Sequence, residues 1–95
     1  MLLETIYKKG DTISLKLTSG EEMVANLVEE NDNELVLSKP MVIIAANQGL
    51  ALSPFMFSAS ADAKVKLSHS NVLCVLKTVE DISKQYTQQT TGIVT

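Results

Sequence analysis

Strict alternation of apolar and polar residues is the pattern that most limits what this chain can fold into. Segment 12–18 reads TISLKLT, with an isoleucine or leucine at every second inner position and serine or lysine between them. A period of two residues is that of a β-strand with one buried face. The next four residues, SGEE, include Gly20, which can adopt the positive φ of a tight turn. The pattern predicts a strand that enters a hairpin.

The second strand of that hairpin is predicted at Glu22–Val28. Met23, Ala25 and Leu27 share one face, but Val24 and Val28 make the other face apolar as well. Apolar residues on both faces indicate burial on both sides, as in a strongly bent strand. A third strand is predicted around the LVL at 35–37, and Pro40 indicates an edge position or a bulge.

The second half of the chain predicts a further hairpin, a short strand, a last strand and a short helix. NQG separates two apolar arms in 41–57, and the small residues of 58–63 predict a loop. KVKL at 64–67 and VLCVLKTV at 72–79 flank the tight turn SHSN. Residues 80–86 predict an amphipathic helix with Ile82 and Tyr86 on one side, followed by an uncharged tail.

These elements predict one domain over residues 1–95. We expect a short helix or arm at 1–9, a barrel at 10–79, and a short helix and tail at 80–95. The fold class is all-β with a short N-terminal helix, and the predicted architecture is a small, strongly bent five-stranded antiparallel barrel.

Composition narrows the functions that remain. The net charge is −3, and all eight basic residues are lysine, so the overall field opposes nucleic acid. The start of the chain does not resemble a signal peptide, and no apolar run could span a bilayer. We expect a soluble cytoplasmic protein.

Cys74, the sole cysteine, lies in an apolar run and is predicted to be a buried structural thiol.

The apolar residues exceed what one small barrel interior can cover. Segment 41–57 and the last strand are both rich in apolar side chains, and each large one left in water forgoes roughly 1.5–3 kcal/mol of burial. Pairing of edge strands between copies covers such surface and closes into a ring or continues as a fibre. A monomer with a folded-back hairpin is the alternative. The predicted interface residues are Leu50, Leu52, Phe55, Phe57, Val72, Leu73, Cys74, Val75 and Leu76.

Two segments resemble the motifs of the Sm-like superfamily, which comprises Sm, LSm and Hfq proteins. Gly10–Pro40 is similar to the first motif, and Lys66–Leu76, KLSHSNVLCVL, is similar to the second. The resemblance implies an N-terminal helix, a bent five-stranded barrel and a ring, here of about five to seven subunits. It also implies that the last strand pairs with the fourth strand of a neighbour, within Leu50–Phe57. The long, apolar segment between the motifs resembles bacterial and phage members.

The same resemblance implies an RNA site made of two loops. Its candidate residues here are Glu30, Asn31, Asn33, Glu34, Ser68 and His69. Glu34 occupies the place of an Asn that the motif usually has, and Ser68-His69 occupies the place of Arg-Gly. The carboxylate of Glu34 would repel phosphate, which argues against uridine binding in the family's usual mode.

Several of the polar and aromatic residues also have a purely structural interpretation. The carboxylates of 29–34 are oxygen ligands that suit a hard cation, but a polar turn between strands is favoured because their spacing is not that of an EF-hand. Phe55 and Phe57, two apart, are predicted to share a strand face and to pack at an interface or in the core rather than stack on bases. Lys64 and Lys66 could contact phosphate but form a small patch.

The functional prediction is a ring-forming, RNA-binding protein. The alternative is a ring that acts as a scaffold for protein partners without RNA. No catalytic or metal-binding spacing occurs, so we expect no enzyme, metal, cofactor or small-molecule substrate.

Overall fold

The computed structural model describes residues 7–60 and 62–91, so most of the predicted N-terminal helix lies outside the described residues. Six strands and one α-helix follow one another in the described part of the chain. They are β1 (Thr12–Leu17), β2 (Glu22–Glu30), β3 (Glu34–Ala46), β4 (Gly49–Pro54), β5 (Lys64–Ser68), β6 (Val72–Lys77) and α1 (Glu80–Thr91). A single 3₁₀ turn, His69–Asn71, joins β5 to β6. None of the described helices is long and apolar enough to cross a lipid bilayer.

All six strands belong to one antiparallel sheet. Five of them follow the order β4-β3-β2-β1-β6, and β5 pairs with the part of β3 that β4 leaves free. The structure confirms the predicted all-β class with a strongly bent antiparallel sheet. It differs in detail, because the sheet is open instead of closed into a barrel and has six strands instead of five, with the short predicted strand at 64–67 forming β5. Two edges result, one formed by β6 and the other by β4 and β5.

The inner face of the bent sheet carries the larger core. Its buried members alternate along the first three strands, and they are Ile13, Leu15, Leu17, Met23, Ala25, Leu27, Leu35 and Leu37. Val24 is also fully buried, but on the opposite face. The prediction that β2 is buried on both sides is therefore confirmed.

A bulge at Lys39 and Pro40 reverses the faces to which the side chains of β3 point in its second half. The pairing of β2 with β3 shifts register between Val24 and Asn26, and Lys39 has a positive φ of 51°. Leu37 and Met41 would face the same side of a regular strand, yet they lie in different clusters because of the extra residue. Of the two alternatives that Pro40 indicated, an edge position or a bulge, a bulge is present, and it lets β3 contribute to both faces.

The helix α1 covers the outer face of β2, β3 and β4. Tyr86 is buried there against Val24, Met41 and Leu52, with Ile82 packed beside it. The predicted pairing of Ile82 with Tyr86 is confirmed, but the helix is longer than expected. Residues 87–91 are helical because their side chains bond the helix and the sheet, including Gln89 Nε2 to the Leu52 carbonyl oxygen at 3.0 Å.

Two predictions about single side chains are wrong. Phe55 and Phe57 do not share a strand face, because β4 ends at Pro54. Phe55 is half-buried against the inner core, whereas Phe57 is 84% exposed in the loop at 55–63. Cys74 is exposed rather than buried, because it points outward from the edge strand β6.

Candidate functional site

The acidic stretch forms a tight turn between β2 and β3 that Asn31 holds together. Asn31 Oδ1 accepts hydrogen bonds from the backbone N–H groups of Asn33 and Glu34, both at 2.9 Å. The backbone N–H of Asn31 donates to the Glu34 carbonyl oxygen at 3.0 Å. An Asx-turn of this kind explains why an Asn is suited to the first position of the loop. The predicted polar inter-strand turn is therefore present.

The turn after β5 packs directly against this loop. The backbone N–H of His69 donates to the Asn33 carbonyl oxygen at 3.0 Å, and His69 Nε2 lies 2.8 Å from the Asn31 carbonyl oxygen. Since a carbonyl oxygen can only accept, Nε2 is the donor of this hydrogen bond. Both the backbone and the ring of His69 thus connect the two turns.

The side chain of Ser68 caps the short 3₁₀ turn. Ser68 Oγ accepts from the backbone N–H of Ser70 at 3.3 Å and lies 2.9 Å from Ser70 Oγ. Glu34 stands opposite Ser68 in the pairing of β3 with β5. All six predicted site residues therefore lie in two adjacent turns, at 30–34 and 68–71, which we call the two-loop site.

Tyr7 is a member of this site that the sequence patterns did not indicate. Its hydroxyl donates to Glu30 Oε1 at 3.1 Å, and Glu30 Oε2 lies 3.7 Å from His69 Nε2. Burial raises the pKa of Tyr7 above its usual value, and the hydrogen bond to Glu30 and the negative charge of that residue raise it further. The sequence predicts a helix or arm at 1–9, and no local pattern places this ring beside a loop that is 23 residues away.

The electrostatics of the two-loop site are predominantly negative. Glu29, Glu30 and Asp32 are exposed, and Glu34 is half-buried. His69, the one histidine of the sequence, lies within the site, and the exposed lysines Lys64 and Lys66 lie on one face of β5. Within the described residues, no three of the His, Cys, Asp or Glu side chains are grouped so as to hold a metal ion. The groups that remain for a ligand are amides, hydroxyls, an imidazole and an aromatic ring.

The predicted interface residues divide between exposed and covered positions. On β6, Leu73 and Leu76 are 66% and 55% exposed, and Cys74 is exposed beside them, whereas Val72 and Val75 are half-buried at the rim of the inner core. On the opposite edge Leu50 is exposed, but Leu52 is buried beneath α1. Leu52 thus already packs within its own chain.

Comparison with solved structures identifies the fold. A heptameric archaeal Sm protein superposes with a TM-score of 0.53 and 17% identity, over 75% of this chain and 90% of that chain. The SmAP1 heptamer of P. aerophilum superposes with a TM-score of 0.54 and 16% identity, over 76% of this chain and 84% of that chain. No family model matches the sequence. A search of curated proteins also finds no match.

These likenesses show that the chain has the fold of the Sm proteins. The fold implied by the two sequence motifs is thereby confirmed over about three quarters of the chain. At 16–17% identity the likeness concerns the fold, and it assigns no ligand to the two-loop site.

Proposed function

We propose that this protein assembles into a homo-oligomeric Sm-like ring that binds RNA at the two-loop site. The observation that carries the ring is the pair of open sheet edges. β6 forms one edge, where Leu73 and Leu76 are exposed, and β4 with β5 forms the other, where Leu50 is exposed. Pairing the edges of successive copies would satisfy their main-chain groups and bury these side chains.

Two solved structures of similar fold support an assembly of this kind. Both superposed Sm proteins are heptamers. We propose a closed ring of about five to seven subunits for this chain, because a head-to-tail contact that closes gives a ring of identical interfaces. It would act in the cytoplasm and without enzymatic activity.

RNA is the ligand that the chemistry of the two-loop site fits best. The amide of Asn33, the imidazole of His69 and the hydroxyl of Ser68 offer donors and acceptors for base edges, and Tyr7 offers a ring for stacking. Repeated around a ring, these groups would meet successive nucleotides of a single strand. The carboxylates favour contact with bases over contact with phosphates, because they repel the backbone.

A second function, a ring that holds protein partners without RNA, is favoured by one observation. Glu29, Glu30 and Asp32 are exposed on the same turn, and their field opposes a polyanion. The two functions share the ring and differ in the ligand, so one titration separates them.

The assembly is tested by light scattering on the purified protein. A mass of about five to seven subunits supports the ring, and a monomer contradicts it. Leu73→Glu with Leu76→Glu should reduce the mass to that of one subunit, because these exposed side chains lie on β6 and contribute little to the subunit core. Asp62→Lys, an exposed residue in the loop between β4 and β5, is the control for an added surface charge change and should leave the mass unchanged.

RNA binding is tested by filter binding with oligo-U and oligo-A at low salt. Saturable binding at micromolar protein that His69→Ala weakens and Lys84→Ala does not would support the site. Absence of binding to both oligonucleotides would contradict the RNA function and leave the protein scaffold as the proposal.

A further inference from the structure

An apolar pocket of about 290 Å³ lies between the bulge of β3, the end of β4 and the last turn of α1. Lys39 and Gln89 belong to its polar lining. None of the residues that line it in the described structure belongs to the two-loop site, so RNA binding does not account for this pocket. Its apolar lining consists of Pro40, Met41, Pro54 and Met56.

Hydrogen bonds between the three elements hold the walls of the pocket in place. The Tyr86 hydroxyl donates to the Lys39 carbonyl oxygen at 2.7 Å and connects α1 to the bulge. Gln89 Nε2 donates at 3.0 Å to a carbonyl oxygen of β4. The backbone N–H of Phe55 donates to the Pro40 carbonyl oxygen at 3.1 Å and connects the end of β4 to the bulge. The pocket is therefore formed without a ligand, as small-molecule sites usually are.

Lys39 adds a positive charge that has no ion-pair partner within the described part of the chain. The ion pairs found there join His69 to Glu30 and Lys84 to Glu80. Lys39 is half-buried. A lysine in such a position packs its aliphatic stem against apolar surface and keeps its ammonium group at the boundary with water. The charge is thus available to an anion whose apolar part enters the pocket.

The volume and the methionines indicate the size of that ligand. An apolar cavity of about 150 Å³ holds one benzene ring. The pocket here has about twice that volume, which suits roughly ten to twelve non-hydrogen atoms. Methionine side chains adapt to ligands of different shape, and Met56 is 49% exposed, so a bound chain would have apolar surface to cover.

From these observations we propose that the pocket binds a free medium-chain fatty acid, of about eight carbons. Its chain would pack against Met41, Met56 and the two prolines, and its carboxylate would lie beside the ammonium group of Lys39. The amide nitrogen of Gln89 carries two N–H groups, and its bond to β4 uses one of them. The other can donate to the same carboxylate.

Methyl NMR of the methionines in the full chain tests this site, with octanoate as the probe. Met41→Leu and Met56→Leu assign the two signals that come from the pocket lining. Met23 is fully buried in the inner core and serves as the internal reference. Lys39→Gln removes the charge and keeps a polar side chain. Lys16→Gln, which changes an exposed lysine of β1 outside the pocket lining, is the matched control.

Octanoate should shift the Met41 and Met56 signals saturably and leave the Met23 signal unchanged. 1-Octanol should bind more weakly because it has no charge, and butyrate because its short chain covers little of the apolar lining. Lys39→Gln should weaken octanoate binding about twofold to fivefold, which is the effect of an ion pair at a partly exposed site. Lys16→Gln should leave the affinity unchanged.

Two kinds of result would overturn the proposal. If octanoate gives no saturable shift of Met41 and Met56, the pocket is not its site. If 1-octanol binds as tightly as octanoate, or if Lys39→Gln and Lys16→Gln have equal effects, the ligand is not a carboxylate held by Lys39. Should Lys39→Gln fail to fold, Lys39→Gly removes the same charge, suits the φ of 51° and receives the same titration.

Discussion

The hydroxyl of Tyr86 on α1 donates a 2.7 Å hydrogen bond to the backbone carbonyl oxygen of Lys39, the residue of β3 that has a positive φ. The same hydroxyl lies 3.2 Å from the Ser38 carbonyl oxygen. The helix therefore satisfies main-chain groups that the bulge removes from the regular ladder. This contact joins α1, which covers the outer face of the sheet, to the bulge at which β3 changes face.

Tyr86→Phe should destabilise the protein by about 1–2 kcal/mol, because it keeps the buried ring but leaves the carbonyl oxygens at the bulge without their donor. The free energy of unfolding by urea measures this. Tyr7→Phe is the control, because its hydroxyl bonds the exposed carboxylate of Glu30 and its loss should cost less than about 0.5 kcal/mol. Equal effects of the two variants would show that the bond at the bulge contributes nothing specific.

Alkaline pH should weaken the fold through the same side chain. Burial raises the pKa of Tyr86 from 10.0 to about 12. Between these values the unfolded chain releases the proton and the folded chain retains it, so the contribution is complete below pH 10 and is lost as pH rises toward 12. Unfolding free energies at several pH values should therefore fall more steeply over this range in wild type than in Tyr86→Phe. Parallel profiles would contradict the role of Tyr86.

The positive φ of Lys39 predicts that glycine at this position gives a more stable protein than valine does. Its φ of 51° lies in the left-handed region, which costs an ordinary residue about 1–2 kcal/mol and a β-branched residue more. Lys39→Val should therefore destabilise the protein by about 1–2 kcal/mol, whereas Lys39→Gly should change stability by less than about 0.5 kcal/mol, because relief of strain offsets the entropy of Gly in the unfolded chain. Thermal unfolding measures both. A Val variant as stable as the Gly variant would mean that residue 39 is not held in this conformation.

The strands were predictable where one local pattern determines them. The alternation in 12–18 and the apolar positions on both faces of 22–28 depend on neighbours in sequence, and the structure has both strands. Pro40 indicated an edge position or a bulge because it cannot donate to a ladder, and β3 has a bulge there. The resemblance to the two Sm-like motifs predicted that two turns far apart in sequence lie together, and they do so in the two-loop site.

What the sequence did not indicate depends on contacts between distant segments. Three of residues 87–91 are threonines, which favour a helix weakly, and the segment is held against the sheet by the bond from Gln89 to β4. Phe57 leaves the sheet because β4 ends at Pro54, which no periodicity marks. Tyr7 reaches Glu30 only when the chain folds back over the two-loop site.

The turn at Asn31 allows a structural role to be separated from a ligand role. Asn31→Ala removes the acceptor of two backbone N–H groups and should cost about 1 kcal/mol of stability. Asn31→Asp retains an acceptor and should remain within about 0.5 kcal/mol of wild type. Urea unfolding of both variants measures this difference. If Ala is tolerated as well as Asp, the side chain does not hold the turn.

The added charge of Asn31→Asp then serves as a probe of RNA. One more carboxylate in the two-loop site should weaken oligo-U binding at low salt, and less so at high salt, because screening reduces repulsion of the phosphates. Asn33→Asp is the comparison, since it adds a carboxylate to the same turn and changes a proposed base contact without replacing the acceptor that holds the turn. Filter binding at two salt concentrations should show both variants weakened together, and unchanged affinity in both would mean that any RNA bound by the protein lies elsewhere.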